Sequence, residues 1–256
     1  MKTILSQNNP YDQDQLNWAY GWEFIKENDV VLDYGCFDAR FLKVLSGSKK
    51  VQVFGADKNQ DIVNSVKQNG GVTIVHIEDR LPFDDEMFDV VTMFEVLEHV
   101  HNQKYLLSEI NRVLKVGGLF VISVPQKHVF SFLDWGNWKY VFPKFHRYWY
   151  TRKYSAEEYH YRYVDNPSGL IGDVDKEKAW HQHFKVGELT DLLQICGFSI
   201  HDLDGFGGFG IPLIIMKAFL KIPIPSRLIH WQNIKFSSEK LLCVSKKSSS
   251  FRSELK

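Results

Sequence analysis

In "VVLDYGCFDARFL" an apolar run ends at Asp33, Gly35 follows, and an amphipathic pattern begins near Phe41. That order suits a parallel strand turning into a helix around a nucleotide-like ligand. A second apolar run, "VQVFGAD", ends in Asp57. It comes roughly 20 residues beyond the loop, where a carboxylate accepts both hydroxyls of a ribose. The plainer alternative is that Asp57 only caps a helix. Phe37 and Ala39 stand where a dinucleotide loop would carry further glycines. The loop is therefore a working one, a variant, or a retired one.

A second constellation lies in "FEVLEHVH". On a helix, Glu95, Glu98 and His99 fall at i, i+3 and i+4 and share a face. Two carboxylates and an imidazole so arranged suit a divalent cation. His99 or His101 would alternatively deprotonate a substrate hydroxyl. The third option is that Glu98 and His99 are polar residues capping the turn after a strand.

These residues need strand ends to hold them. "VVLDY" (30–34), "VQVFGAD" (51–57), "VTIVHI" (72–77), "FDVVTMF" (88–94) and "GLFVISVP" (118–125) are rich in β-branched residues and apolar on both faces. That is the pattern of buried parallel strands. "RFLKVLSG", "DIVNSVKQNG" and "QKYLLSEINRVLKVGG" carry helical periodicity between them, the last with Gly117-Gly118 as its expected stop. Strand–helix alternation predicts right-handed crossovers and an α/β, doubly wound sheet.

After Pro125 the character changes. Residues 126–183 are dense in Trp, Tyr and Phe with interleaved Lys and Arg, and are expected to form an inserted cap after the fifth strand. Within it, Trp135, Trp138, His146 and Tyr148 are the candidates to line an acceptor pocket; aromatic faces there suit sugar rings, flat aromatics or isoprenoid chains. Regularity resumes at "FKVGELTDLLQICGFSIHDLDG", and "EKLLCVSKK" (239–247) reads as a final strand. Residues 205–237 form an apolar insert, and 248–256 a disordered tail, in a single domain spanning 1–256. In "IPLIIMKAFLKIPIP" a helical register lines up Ile214, Ile215, Ala218, Phe219 and Ile222. Residues 208–225 are thus the expected place of a dimer, cap or peripheral membrane contact.

"VLDYGC", "GADKN", "LPFDDEMFDVV", "FEVLEHV", "LSEINRVLKVGGLFVISVP" and "FKVGELTDLLQICGFSI" occur in an order and spacing that resemble the class I S-adenosylmethionine-dependent methyltransferases. The resemblance covers Val30 to about Pro125 and resumes from Phe184 to Leu203. It implies a mostly parallel, seven-stranded Rossmann-like sheet with the last strand antiparallel, and S-adenosylmethionine across the strand ends. It places Asp33 and Gly35 against the methionine half, and Asp57, with Lys58 beside it, at the ribose. It places Glu78 and Asp79 at the adenine, and Phe94 and Glu95 at the methyl-bearing end. A sulfonium donor needs no acid for its leaving group, so such a site supplies mainly proximity and orientation. The activity implied is methyl transfer to a small-molecule, glycan or lipid-linked acceptor, with an O-methyl product as the leading expectation.

Bulk properties narrow the alternatives. Lys plus Arg and Asp plus Glu each number 31, so no net charge favours nucleic acid, and none is expected as a partner. Cys36, Cys196 and Cys243 lie far apart without metal-like spacing, which suits a reducing compartment. No signal-peptide pattern opens the chain. The expected location is cytoplasmic, with peripheral contact at the inner membrane face left open through 208–225. A dehydrogenase would want GxGxxG, where only Gly35 is present. A methyltransferase-like scaffold that has lost its cofactor, serving as a partner subunit, is the competing interpretation.

Overall fold

The computed structural model describes residues 13–69, 72–78, 80–127, 142–160, 182–206 and 240–248. Asp79, Trp135, Trp138 and the 208–225 segment lie outside them. The chain runs through α1 (Gln13–Phe24), β1 (Val30–Tyr34), α2 (Arg40–Ser48), β2 (Gln52–Asp57), α3 (Gln60–Asn69) and β3 (Thr73–His76). Next come β4 (Phe88–Phe94), a 3₁₀ turn (Leu97–His99), α4 (Gln103–Val113) and β5 (Leu114–Pro125). Then follow α5 (Pro143–Lys153), α6 (Ala156–His160), α7 (Val186–Ile195), β6 (Phe198–Phe206) and β7 (Lys240–Lys247).

These strands form one seven-stranded sheet in the order β3-β2-β1-β4-β5-β7-β6. The first five pair in parallel, and β7 lies antiparallel between β5 and β6. Strand order reverses between β1 and β4, which opens a crevice at their carboxyl ends.

Both faces are covered, as the apolar strands require. Val31 and Val90 pack toward Phe41, Leu42, Leu45, Val63 and Val66 of α2 and α3. Leu32 and Val91 point the other way, toward Leu106, Leu107 and Ile110 of α4 and Leu189 and Leu193 of α7. Alternation along a strand makes this division automatic. Each such buried leucine contributes about 1.5–3 kcal/mol relative to exposure.

Two local expectations are corrected. The fourth helix stops at Val113, and Leu114 already begins β5. Gly117, at φ 78°, and Gly118 lie inside an irregular stretch where the pairing register with β4 shifts. A Cβ on Gly118 would meet the Asp89 carbonyl oxygen at 2.9 Å, so this pair permits a close backbone approach and is no helix stop. The second correction is α1, a helix the sequence pattern did not announce.

The aromatic insertion is pinned at its base. Phe184 N–H donates to the Pro125 carbonyl at 2.9 Å, and Lys127 N–H donates to the Phe184 carbonyl at 2.8 Å. The chain therefore leaves β5 and returns beside it. Opposite, Arg112 donates to Glu109, Asp85 and the carbonyls of Phe83 and Leu81, all within 2.9 Å, and holds the "LPFDD" loop ahead of β4.

Candidate functional site

The site is built where β1, β2 and β4 end. Gly35 has φ 76°, and a Cβ there would lie 2.4 Å from Val96 Cγ2, so only glycine fits between the two loops. Phe37 (φ 46°) and Ala39 (φ 58°) keep the left-handed backbone that glycine would adopt freely. Glu95, just after β4, is left-handed too, at φ 56°. Such conformations cost on the order of 1–2 kcal/mol per residue. Their gathering at adjoining strand ends marks a backbone held for a purpose beyond stability. The Phe37 ring is 39% exposed, pointing into solvent rather than filling the core.

Asp57 is central to this loop. Its Oδ2 accepts the Phe37 N–H at 3.0 Å, and its Oδ1 accepts the Asn59 N–H at 2.9 Å. A carboxylate has about four acceptor positions, so each oxygen keeps one for a further donor. The helix cap is instead Asn59, whose Oδ1 accepts the Asp61 and Ile62 N–H groups at 3.0 and 3.2 Å, so Asp57 braces the loop and does not cap α3. Lys58 is exposed, and its carbonyl accepts from His76 Nε2 at 3.0 Å. Glu78 is exposed just beyond β3.

Asp33 is buried, and its Oδ1 accepts the Thr92 hydroxyl at 2.7 Å. Desolvation pushes its carboxyl up to about 7; the Thr92 hydrogen bond opposes this, and the nearby Asp57 charge adds to it. Thr92, in the middle of β4, was not singled out in the sequence, because a threonine in an apolar strand gives no signal. Cys36 is buried beneath the loop, its thiol raised by desolvation, against the space left by Gly55. It is a packing residue.

At the end of β4, Phe94 stacks edge-on against Phe41 at 5.5 Å. The Glu95 carboxylate accepts the Ser123 hydroxyl at 2.8 Å and pairs with Lys240 at 3.0 Å. Burial raises the Glu95 carboxyl and the neighbouring Glu98 charge adds to that, while Lys240 opposes it. Lys240 and Ser123 come from distant segments, so sequence spacing could not show them.

The helical arrangement that the metal option required is absent at Glu95, Glu98 and His99. Glu95 is left-handed and outside any helix, and only Leu97–His99 coil, as a 3₁₀ turn. The i, i+3, i+4 face therefore does not form. Among the described residues no group of three or more His, Cys, Asp or Glu is placed to hold a metal ion. What remains is a pair: Glu98 is fully buried and its Oε1 lies 3.8 Å from His99 Nε2, while His101 is exposed. On α5, His146 is buried against Tyr150 and Tyr159, at 5.9 Å each, whereas Tyr148 is 54% exposed on another face. The structure does not bring these two acceptor candidates together.

An open α/β sheet with acidic strand ends at its switch point is an arrangement suited to a nucleotide-bearing cofactor. Residues 14–160 match the methyltransferase domain family, and the chain belongs to that family. It is 29% identical over 202 residues to an uncharacterized protein of Methanocaldococcus jannaschii, covering 77% of this chain and 73% of that one. It is 31% identical over 181 residues to a demethylmenaquinone methyltransferase of Staphylococcus haemolyticus, covering 65% and 74%. Its fold is that of an S-adenosylmethionine-dependent methyltransferase from Mesorhizobium loti, at a TM-score of 0.54 and 15% identity over 90% of this chain and 97% of that chain. The protein is a methyltransferase that uses S-adenosylmethionine. The residues fit that group. It carries a sulfonium and an ammonium against one carboxylate, and the crevice offers a desolvated acid, free acceptor positions on Asp57, and a glycine gap.

Proposed function

We propose that this enzyme methylates a hydroxyl of a small, flat aromatic acceptor, with the cofactor's ribose at Asp57, its methionine half along Asp33 and Gly35, and its methyl-bearing end at Phe94 and Glu95. When bound, S-adenosylmethionine supplies an electrophilic methyl group whose leaving group needs no acid. The chain's own task is to orient the acceptor and, for a hydroxyl, to take its proton. The observation that carries this proposal is the His99–Glu98 pair directly beyond β4. Glu98, fully buried, holds a carboxyl 3.8 Å from His99 Nε2, an acidic group beside the imidazole that would accept the proton. His101, exposed, is the weaker candidate.

A flat aromatic acceptor is supported by the aromatic density of 126–183, inserted next to the β5 end, and by the relatives named for demethylmenaquinone. Asp79 at the adenine and Trp135 and Trp138 at the acceptor stay part of the proposal. The insert and the apolar 205–237 segment are taken as elaborations of one domain, and a glycan or lipid-linked acceptor is the second choice. Among the described residues no helix is long and apolar enough to cross a membrane; we take the enzyme to work in the cytoplasm.

The test is methyl transfer from radiolabelled S-adenosylmethionine to a hydroxylated naphthalene, compared with a saturated cyclic alcohol. His99→Gln is expected to lower kcat by about 10²–10⁴-fold and to leave binding of S-adenosylhomocysteine unchanged. Equal transfer to both acceptors, or full activity in His99→Gln, would refute the proposal.

A further inference from the structure

Helix α1 buries Asn17 and Gly21, at i and i+4, and the buried stripe continues to Ile25 just past its end. Asn17 is 1% exposed, and among the described residues neither its Nδ2 nor its Oδ1 has a hydrogen-bond partner. A primary amide shut away from water without a partner is a standing cost of folding. The rest of the stripe is apolar and well filled. A Cβ on Gly21 would come within 2.8 Å of Phe94 Cζ, so α1 rests directly on the last residue of β4.

The direction of α1 fixes which end Asn17 occupies. Lys49, the cap at the far end of α2, donates to the carbonyls of Trp22 and Ile25. Trp18 instead stacks on Phe41, in the first turn of α2, at 6.0 Å. The two helices therefore run the same way, from the carboxyl ends of the strands toward their amino ends. Asn17 sits one turn beyond Gly21, about 6 Å further along the axis, on the crevice side of Phe94. Tyr20, whose hydroxyl donates to Asp202 at 2.9 Å, ties the helix to β6.

We propose that Asn17 binds the α-amino-acid end of S-adenosylmethionine. This rests on the orientation given above, with the ribose at Asp57 on β2. From there the methionine half would extend past Asp33 and Gly35 of β1 toward β4, which brings its amino-acid end to Asn17. A zwitterionic amino acid presents one carboxylate and one ammonium. A single amide answers both, its Nδ2–H donating to the carboxylate and its Oδ1 accepting from the ammonium. Charge-assisted bonds of this kind are the stronger sort, which accounts for an amide kept at a position where the free protein would do better with a hydrocarbon.

That conflict gives a test with opposite signs. Asn17→Leu keeps the branched outline and the number of side-chain heavy atoms and removes the orphaned polar atoms. Without ligand it is expected to raise Tm by at least about 2 °C. By calorimetry it should bind S-adenosylhomocysteine roughly 10- to 100-fold more weakly than wild type. Affinity for 5′-methylthioadenosine, which lacks the amino-acid end, should stay within about twofold, since no contact to that nucleoside is lost. Asn17→Ala must show the same selective loss. A leucine variant that melts below wild type overturns the proposal, as does either variant binding both nucleosides like wild type or losing both equally. A wild type that binds neither nucleoside would fail the cofactor orientation itself, a different result from a change in the ratio between them.

Discussion

Asp33 makes the most quantitative demand on the structure. Its carboxyl is lifted from the ordinary 3.8 to about 7, chiefly by burial. At 1.36 kcal/mol per pH unit, that separation is worth on the order of 4 kcal/mol. Because the folded chain holds this proton more tightly than the unfolded chain, the stabilisation is complete below pH 3.8. It is lost as the pH rises through about 7. From pH 5 to pH 8 the ligand-free protein should lose on the order of 2–3 kcal/mol through this one group. Asp33→Asn keeps an oxygen for the Thr92 hydroxyl and cannot ionise. Urea unfolding of both proteins across that range isolates the effect in their difference, since every other titrating group is common to both. The gap should widen in favour of the asparagine variant as pH rises. A gap that stays constant would show that Asp33 is not desolvated as the structure has it. Binding should behave inversely: a cationic ligand favours the ionised acid, so S-adenosylmethionine should bind wild type more tightly as pH rises through about 7, and proton release should accompany binding.

Other outcomes follow from the loops. Phe37→Gly removes a left-handed cost of about 1–2 kcal/mol and adds back about 0.5–1 kcal/mol of chain entropy. Stability should move little, and S-adenosylhomocysteine affinity should hold or improve; a tenfold loss by calorimetry would make the ring a wall of the pocket. Arg112→Met should cost about 1–3 kcal/mol in urea unfolding, because buried Glu109 loses its two guanidinium hydrogen bonds and keeps only exposed Arg80 at 3.6 Å and the Leu81 N–H. A cost below about 1 kcal/mol would show the pair to be as weak as a surface salt bridge.

The fold was largely legible because parallel strands buried on both faces leave unbroken apolar runs, and β1 and β4 match theirs residue for residue. That Asp33, Gly35 and Asp57 would meet at one edge of the sheet was legible for a related reason, since strand ends in this topology converge. What escaped were contacts between distant segments. Thr92 supports Asp33 from β4, and Lys240 reaches Glu95 from the final strand. Helix α1 escaped because its buried stripe holds an asparagine and a glycine, which a search for apolar periodicity passes over. The helical face that the metal option for the acidic trio needed does not form, because a left-handed Glu95 ends the strand before any helix begins, a backbone choice that residue spacing cannot reveal.

The central claim is that the carboxyl ends of β1, β2 and β4 hold S-adenosylmethionine. Titration calorimetry of wild type and Asp57→Ala with S-adenosylhomocysteine tests it most directly. Saturable one-to-one binding is expected, weakened at least about tenfold by loss of the carboxylate that accepts the ribose hydroxyls. No binding at millimolar ligand, or equal binding by both proteins, would contradict it.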